Sequence, residues 1–550
     1  MTLPGSVLHW FRRDLRTADN RALNRAISLA KKSNLPLIPV FFLDPEYHNP
    51  TACGPLRMRF ILESISALQR SLDDKCSSRL RVICARPTDV FPDLVRRWGV
   101  KHLVFEYEYA PSERARDEAV VADVEGFDVD VVREHGFTLY NPNVLLQKAK
   151  GATAPTTMSS FLSLVDDVGD PENPVEFADG RQVELTSCPD ATLKDDDKDG
   201  YLLVPKLGDI GYEDCTKQTG WERFRGGEEE GIARMDEFLS REGGKVAARF
   251  AKPKTSPAAF VKRETTVLSP YLALGCVSSR VFHARLRDLE ENHDVAEMPQ
   301  TRLWGQLMWR EHFWLLAGMV PEFHRMNGNP VCRKINWRTG DEAELRLKTW
   351  AEARTGYPWI DALMMQLKTE GFVHHLGRHS LACFLTRGDL WVSWEEGYKV
   401  FEHYLVDYDY ALNSANWMWL SCSAFFSMYF RVYSPVAFAK KWDKEGAFIK
   451  HYLPVLRKLP TKYIHEPWKA PAMVQKMAGC VIGKDYPERM VDHSKASKEN
   501  IAKMKENYAR NEYGAERGER QHMNGESRSS ESRDSGDGTS RKTKRRKTRR

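Results

Sequence analysis

Residues 355–426 read TGYPWIDALMMQLKTEGFVHHLGRHSLACFLTRGDLWVSWEEGYKVFEHYLVDYDYALNSANWMWLSCSAFF. The segment combines apolar residues at helical spacing with three clustered histidines and an Asp-x-Asp pair. Seven tryptophans occur between residues 337 and 419. Ordinary core packing does not need this combination. The segment therefore predicts a helical domain that carries chemistry.

The helical pattern extends on both sides of this segment. Apolar residues recur at i, i+3 and i+4 spacing in Leu268–Leu274, Thr301–Ala317, Ile360–Thr369, Val373–Leu385, Glu395–Leu405 and Trp417–Phe430. Strand signals are sparse in this part of the chain. Residues 249–511 are therefore predicted to form an all-α domain.

Residues 1–140 follow a different pattern, in which apolar strand-like runs alternate with helical ones. The strand-like runs are Val7–Phe11, Leu37–Leu43, Leu80–Ala85, His102–Glu106 and Val129–Val132. This β-α alternation predicts an α/β domain with a doubly wound parallel sheet. The first run is followed by FRRDLRTADN at 11–20 and not by G-x-G-x-x-G, which disfavours a dinucleotide fingerprint.

Composition separates two further regions from these domains. Residues 141–248 are rich in Pro, Gly, Asp and Ser, and the run KDDDKDG at 194–200 is typical of a solvated loop, so we predict an interdomain connector. Residues 512–550 contain almost no apolar side chains and are predicted to be a disordered tail.

The net charge of +6 comes from the end of that tail, since residues 541–550 hold eight Lys or Arg and no acid. The rest of the chain is slightly acidic, so any nucleic-acid surface on the folded body must be a local patch. The basic end is typical of a nuclear import signal, and a nuclear protein is expected. The alternative is a basic segment that binds DNA nonspecifically.

Other sequence features exclude several classes of protein. The sequence contains no run of 18 apolar residues, so no membrane span is predicted. The N-terminal residues MTLPGSVLHWF are not typical of a secretory signal. The ten cysteines include no CxxC pair, which favours reduced thiols in an intracellular protein. A monomer is expected.

The histidines in HHLGRH are the first candidates for chemistry. His375 and His379 are four residues apart and share one face of a helix. Zinc binding is one interpretation, although HExxH is absent and no metal ligands are expected. Core histidines are a second interpretation. The third is a buried pocket in which one imidazole donates a proton and the other holds it in place.

Carboxylates and hydroxyls mark three further segments. Asp407 and Asp409, if buried beside Arg378, must have polar partners. The segment TTVLSPYLALGCVS at 265–278 has hydroxyls before a helical run, where phosphate can bind, although an ordinary helix cap has the same pattern. In WGQLMWREHFW at 304–314, indole beside Gln and Arg is suited to a nucleobase, although a core helix is equally consistent with it.

Together these segments resemble the photolyase/cryptochrome family over about residues 1–510. The resemblance rests on HWFRRDLRTADNRAL, LSPYLALGCVS, WREHFW, TGYPWIDALMMQL, GFVHHLGRHSLACFLTRGDLWVSWEEG, DYDYALNSANWMWL and FRVYSPVAF. Within the family, HHLGRH is similar to the branch shared by (6-4) photolyases and animal-type cryptochromes.

The resemblance implies an N-terminal α/β domain and a C-terminal helical domain that holds FAD. The residues implied for FAD binding are Phe250, Thr266, Val267, Leu268, Ser269, Gln306, Arg310, His375, Arg378, Asp407, Asp409 and Asn413. Within this set, Asn413 is expected at the flavin N5 and Asp407 is expected to pair with Arg378. An electron relay is also implied, from Trp417 nearest the flavin through Trp394 to Trp337 at the surface, with Trp391 as a fourth donor.

The same resemblance implies light-driven repair of (6-4) pyrimidine photoproducts in UV-damaged DNA. Excited, fully reduced FAD would inject one electron into a flipped-out lesion. Protonated His375 would donate a proton to the migrating hydroxyl, and His379 would tune its charge. The residues implied to contact the lesion are Gln306, Trp309, Trp419 and Tyr433.

Two questions remain open at this point. The segment SERARD at 112–117 resembles a folate-binding segment and makes Glu113 a weak candidate for an antenna site, for methenyltetrahydrofolate or 8-hydroxy-deazaflavin. The alternative function is a blue-light receptor or transcriptional regulator that acts through clock or other regulatory proteins. MWLSCSAFF is typical of cryptochromes, whereas FRVYSPVAF and Asn416 are typical of the repair enzymes.

Overall fold

The computed structural model describes residues 5–76, 78–148, 155–178, 201–213, 223–261, 264–292 and 302–515. The predicted loop at 194–200, the tail from 516 onward and its basic end at 541–550 lie outside these residues. Within the described part of the chain, no helix is both long and apolar enough to cross a membrane.

A five-stranded parallel sheet forms the N-terminal domain, as the β-α alternation predicts. The strands are β1 (Ser6–Phe11), β2 (Leu37–Phe42), β3 (Arg81–Ile83), β4 (Val100–Glu106) and β5 (Asp130–Glu134), in the order β3-β2-β1-β4-β5. Val7 lies opposite Leu37 on one side and His102 on the other. Every residue of β1 and β2 is buried, because helices cover both faces of the sheet.

Four helices make this cover: α1 (Arg21–Ser33), α2 (Pro55–Cys76), α3 (Pro87–Trp98) and α4 (Pro111–Glu125). Trp10 and Phe42 pack on Phe91 of α3 in the core on one face. The core on the other face contains α1 and α2 and continues into the helices that follow the sheet. The two parts of the molecule therefore share apolar packing.

The regular secondary structure in the rest of the described chain is helical apart from isolated β-bridges, which confirms the predicted α/β plus all-α class. Its helices are α5 (Pro142–Lys148), α6 (Met158–Val168), α7 (Glu228–Ser240), α8 (Lys245–Ala248), α9 (Ser269–Ala273), α10 (Ser279–Asn292), α11 (Leu303–Met319), α12 (Asp341–Ala351), α13 (Pro358–Glu370), α14 (His375–Cys383), α15 (Trp394–Tyr404), α16 (Tyr410–Leu420), α17 (Pro435–Trp442), α18 (Ala447–Tyr452), α19 (Thr461–Ile464), α20 (Ala472–Ala478) and α21 (His493–Arg510). A π-helical turn, Phe384–Gly388, follows α14 directly.

The predicted helix Trp417–Phe430 is wrong. Helix α16 begins seven residues earlier, because the Asp409 side chain accepts the Leu412 N–H as its N-cap, and it ends at Leu420. Cys422 and Phe425 have φ angles of 58° and 62°, which a right-handed helix cannot contain. Apolar spacing continues past Leu420, but these residues pack as an irregular segment.

The segment after β1 joins the sheet to the helical domain. Arg16 Nη1 donates to the Gly275 carbonyl at 3.1 Å, and the Thr17 N–H donates to Glu228 at 2.8 Å. Gly275 has a φ of +67°, and a β-carbon there would overlap the carbonyl oxygen of Arg13. FRRDLRTADN, which lacks a dinucleotide fingerprint, therefore serves as an interdomain contact.

Candidate functional site

A cavity of about 290 Å³ lies inside the helical domain, and we call it the central cavity. Segment 265–268, helices α9, α11, α14 and α16, and residues 405–409 contribute to its wall. Fourteen residues singled out from the sequence line it: Phe250, Thr266, Val267, Leu268, Ser269, Gln306, Arg310, His375, Arg378, His379, Asp407, Asp409, Asn413 and Trp417. The structure thus brings together residues separated by up to 167 positions.

Strained backbone forms one end of the wall. Val267 has a φ of 52°, which is costly for a β-branched residue. The Leu268 N–H approaches Thr266 Oγ1 at 3.4 Å, and α9 begins at Ser269. Such strain persists only where the surroundings hold it, and it is common at ligand sites.

Asp407 presents an unsatisfied acceptor to the central cavity. Its Oδ2 accepts hydrogen bonds from Arg378 Nη2 and Ser269 Oγ, each at 2.7 Å. Its Oδ1 is buried and has no hydrogen-bond partner among the described residues. A buried carboxylate oxygen without a donor is costly, so this atom is suited to a ligand that brings one.

Asp409 and Asn413 are fixed by the protein itself. Asp409 accepts the Trp314 Nε1–H at 3.0 Å in addition to capping α16. Burial raises the pKa of Asp409, although Arg310 and these donors oppose the shift. Asn413 Nδ2 donates to the Tyr398 carbonyl at 3.2 Å. Asp409 therefore has a capping role as well as a place in the cavity wall.

The three histidines lie at the start of α14. His374 caps the helix through Nδ1, which accepts the Leu376 N–H, and its Nε2 lies 2.8 Å from Thr255 Oγ1. His375 and His379 both line the cavity, with ring centroids 5.9 Å apart. In the described residues no group of three His, Cys, Asp or Glu side chains is arranged to hold a metal ion, which disfavours the zinc interpretation.

The surroundings of these imidazoles keep them neutral. Burial lowers the pKa of His379 to about 3, and the charge of Lys252 adds to the effect. Burial and the same lysine lower the pKa of His375 well below its ordinary value. The sequence predicts a protonated His375. Such an imidazolium requires a negative charge in the cavity that offsets Lys252 and Arg378.

Lys252 is a site residue that sequence reasoning missed. It lines the central cavity, and burial together with Arg378 lowers its pKa to about 8. It belongs to the short turn Lys252–Lys254, which the contact between Thr255 and His374 brings beside α14. The one sequence signal for Lys252 is its position two residues after Phe250, which was itself a candidate. Asn416, which is typical of the repair enzymes, also lines the cavity.

The remaining residues predicted to contact a lesion lie beside the cavity and do not line it. The rings of Trp309 and Trp419 meet edge to face at 5.0 Å, and Trp419 stacks on Phe426 at 6.1 Å. Tyr433 is nearer, since its hydroxyl is 3.4 Å from His379 Nδ1. These aromatic side chains are partly exposed.

The tryptophans of the predicted relay are all buried. Trp417 lines the cavity and packs closely on Gly397 of α15, the helix that begins with Trp394. Trp337 and Trp391 form a pair with centroids 4.9 Å apart. Trp337, expected at the surface, keeps 8% of its area accessible and is the most exposed of the four, against 0% for Trp394.

A second cavity of about 400 Å³, the interdomain cavity, lies between the sheet and the helical domain. Glu113, in the first turn of α4, lines it together with Arg12, Arg13, Arg57 and Arg116. Within the described residues, Arg12 Nη2 and Arg57 Nη1 are buried and lack hydrogen-bond partners. These N–H groups are thus suited to acceptor atoms of a ligand, although Glu108 and Glu402 also line the cavity.

Replacing Asp407 with asparagine tests the unsatisfied acceptor. The amide keeps the shape but removes the charge that holds Arg378 and Ser269. We expect affinity for the cavity's ligand to fall about 10- to 100-fold, the size of a lost charge-assisted hydrogen bond. The measurement is release of the FAD that the resemblance implies, followed by its fluorescence on dilution. Glu466→Gln, which alters only a surface pair with Lys440 and Lys469, is the control and should leave release unchanged.

Comparison with known proteins adds independent findings. Residues 7–176 match the DNA photolyase domain, and residues 303–506 match the FAD binding domain of DNA photolyase. The chain is 43% identical to cryptochrome-2 of Gallus gallus over 502 residues, covering 91% of this chain and 83% of the relative. It is 42% identical to the (6-4) DNA photolyase of Arabidopsis thaliana over 516 residues, covering 92% and 89%. A class III photolyase structure from Agrobacterium tumefaciens, 28% identical, superposes with a TM-score of 0.74 over 92% of this chain and 98% of that one.

Proposed function

Because the chain belongs to the photolyase/cryptochrome family, we propose that it is a light-driven (6-4) photolyase. The observation that carries the proposal is that His375 and His379 line the same cavity as the unsatisfied carboxylate of Asp407. Proton-transfer groups and a ligand-binding acceptor thus lie in one enclosed space. A core-histidine interpretation gives no reason for that arrangement.

The residues of the central cavity fit FAD. The buried Oδ1 of Asp407 is suited to an N–H donor on the ligand, and Thr266 and Ser269 place hydroxyls in the wall. Arg378 and Lys252 supply positive charge for phosphate groups. Leu268, Leu307 and Leu412 supply apolar surface for a ring system. FAD bound in reduced form supplies the electron when it absorbs light.

The chain's own residues would bind the lesion and move a proton. Extruding a damaged base costs only a few kcal/mol, since damage weakens stacking and pairing. The partly exposed Trp309, Trp419 and Tyr433 are suited to receive it beside the cavity. Anionic DNA and flavin phosphates offset Lys252 and Arg378, which favours an imidazolium at His375. This proton then goes to the hydroxyl that leaves during repair.

The experiment uses an oligonucleotide that contains one (6-4) photoproduct. The protein, reduced in advance, is incubated with it under blue light, and restored thymines are quantified by chromatography. We expect restoration in the light and none in the dark. An oligonucleotide with a cyclobutane dimer is the matched substrate control and should remain unrepaired. Absence of light-dependent restoration would contradict the repair function.

A signalling function is the second candidate, and the 43% identity to a cryptochrome favours it. The two activities are compatible, because both depend on a flavin that responds to light. A receptor without repair would retain FAD and its light response and leave the (6-4) oligonucleotide unchanged. The repair assay together with an absorption spectrum therefore distinguishes the two.

The interdomain cavity supports an accessory pigment as part of the same proposal. The unpaired N–H groups of Arg12 and Arg57 are suited to the carboxylates of a folate or the phosphate of a deazaflavin. Glu113 lies in the wall, where it can accept a hydrogen bond from the pigment ring. A near-ultraviolet or violet absorption band in freshly purified protein, separable from the FAD bands, would identify the pigment.

A further inference from the structure

Arg387 is a buried cation for which neither the sequence motifs nor the proposed chemistry gives a role. It lies in the π-helical turn that follows α14 and is 1% exposed. Within the described residues no carboxylate lies within ion-pair distance of it. A buried charge without a counter-ion is costly, so the fold must gain something specific from this side chain.

The guanidinium makes three hydrogen bonds to backbone carbonyls. Nε donates to the Leu420 carbonyl at 2.8 Å, and Nη1 donates to those of Tyr429 and Arg431 at 2.9 and 3.0 Å. Leu420 is the last residue of α16. Residues 421–434, which we call the rim segment, follow it. Arg387 thus connects the end of α16 to the distal part of the rim segment.

The rim segment has no helix or strand of its own to hold it. Cys422 and Phe425 have left-handed backbone, and residues 421–433 contain only turns and irregular structure. Tyr508 of α21 holds the near end, since its hydroxyl donates to the Cys422 carbonyl at 2.6 Å. Arg387 binds the carbonyls of Tyr429 and Arg431, and so holds the region next to Tyr433, whose hydroxyl lies beside His379.

We propose that Arg387 is a positioning residue for the repair site, which fixes the rim segment so that Tyr433 stays beside His379. This inference rests on the proposed repair function for its catalytic consequence. Its structural part, that one buried guanidinium orders residues 421–434, is independent of the reaction.

Arg387 has a second effect through its charge. His379 faces Lys252, His375, Arg387 and Tyr433. Burial is the main cause of its lowered pKa, Lys252 comes next, and Arg387 also opposes protonation. Arg387 therefore helps to keep His379 neutral.

Two variants separate the hydrogen bonds from the charge. Arg387→Lys keeps the charge but cannot reach three carbonyls at once, whereas Arg387→Met loses both. Arg346→Met is the control, because Arg346 also donates to a backbone carbonyl, that of Leu390, but lies on α12, is partly exposed and is paired with Glu342. Hydrogen exchange of the peptide that covers residues 421–434 is measured in each, together with repair of the (6-4) oligonucleotide.

We expect exchange in this peptide to speed up about tenfold or more in both Arg387 variants, the effect of losing about 1.4 kcal/mol of local stability. The kcat of repair should decrease in both variants, with little change in the KM for damaged DNA. The alkaline decline of repair should move to higher pH in Arg387→Met, because a positive charge that opposes protonation of His379 is lost, and stay in place in Arg387→Lys. Arg346→Met should match the wild type in every respect.

An unchanged hydrogen-exchange rate of residues 421–434 in Arg387→Lys would overturn the proposal. If Arg387→Met does not fold, the test uses Arg387→Lys alone. An equal decrease of kcat in Arg346→Met would show that the decrease in the Arg387 variants comes from general destabilisation. If the wild type proves unable to repair (6-4) DNA, the exchange measurement still decides the structural part.

Discussion

In the His375→Ala variant, we expect light-driven (6-4) repair to fall by about 10²- to 10⁴-fold, the contribution of a positioned general acid. His375 lines the central cavity beside His379, and alanine leaves no group there that can donate a proton. FAD should remain bound, because the other residues implied for its binding, Asp407, Arg378 and Ser269 among them, are unchanged. The measurement is the single-turnover repair rate with the protein reduced in advance.

His403→Ala is the control for this experiment. His403 is half-buried on α15, does not line the central cavity and contacts the Thr51 carbonyl, so the change should leave repair as it is. Repair by His375→Ala at a near wild-type rate, with normal FAD content, would contradict the role of proton donor.

The pH dependence follows from the cavity's charges. Burial and Lys252 depress the pKa of His375 in the chain, and anionic substrate raises it again in the complex. An imidazolium is lost as pH rises through its pKa, so repair should decline on the alkaline side. Lys252→Met removes one opposing positive charge and should move that decline to higher pH.

The sequence predicted the parts of the fold that depend on local pattern. The strands of the sheet alternate with helices, and their continuous apolar runs match burial on both faces. The fourteen residues of the central cavity were found because ordered motifs resembled a family, and not because spacing alone indicates a cavity. Asp409 shows the limit, since it both caps α16 and lines the cavity, and its sequence pattern fits either role equally.

Long-range contacts determine what the sequence could not predict. Helix α16 ends at Leu420 although apolar spacing continues, and Arg387, 33 positions earlier, binds the carbonyl of that last residue. Lys252 reaches the histidines only through the contact between Thr255 and His374, which are 119 positions apart. Nothing in the local sequence distinguishes these two cations from the many others that face solvent.

The Trp417→Phe variant should separate photoreduction from repair. Trp417 lies in the wall of the central cavity and is 2% exposed, which makes it the first indole that an electron would leave. A benzene ring is much harder to oxidise than an indole. We expect blue-light reduction of oxidised FAD, followed by absorbance with a reductant in solution, to slow by tenfold or more, equivalent to ~1.4 kcal/mol in the barrier. Repair by chemically reduced protein should change much less.

Trp350→Phe is the matched control for a packing effect. Trp350 is fully buried, and its ring lies 6.4 Å from that of Trp417, but it is not part of the proposed relay. Either substitution leaves a cavity that costs stability, so equal losses of photoreduction would assign the effect to packing. A large loss in Trp417→Phe, a smaller one in Trp391→Phe because Trp337 lies 4.9 Å from it, and none in Trp350→Phe would indicate an ordered relay that begins at the cavity. Photoreduction of Trp417→Phe at the wild-type rate would show that electrons reach the flavin by another route.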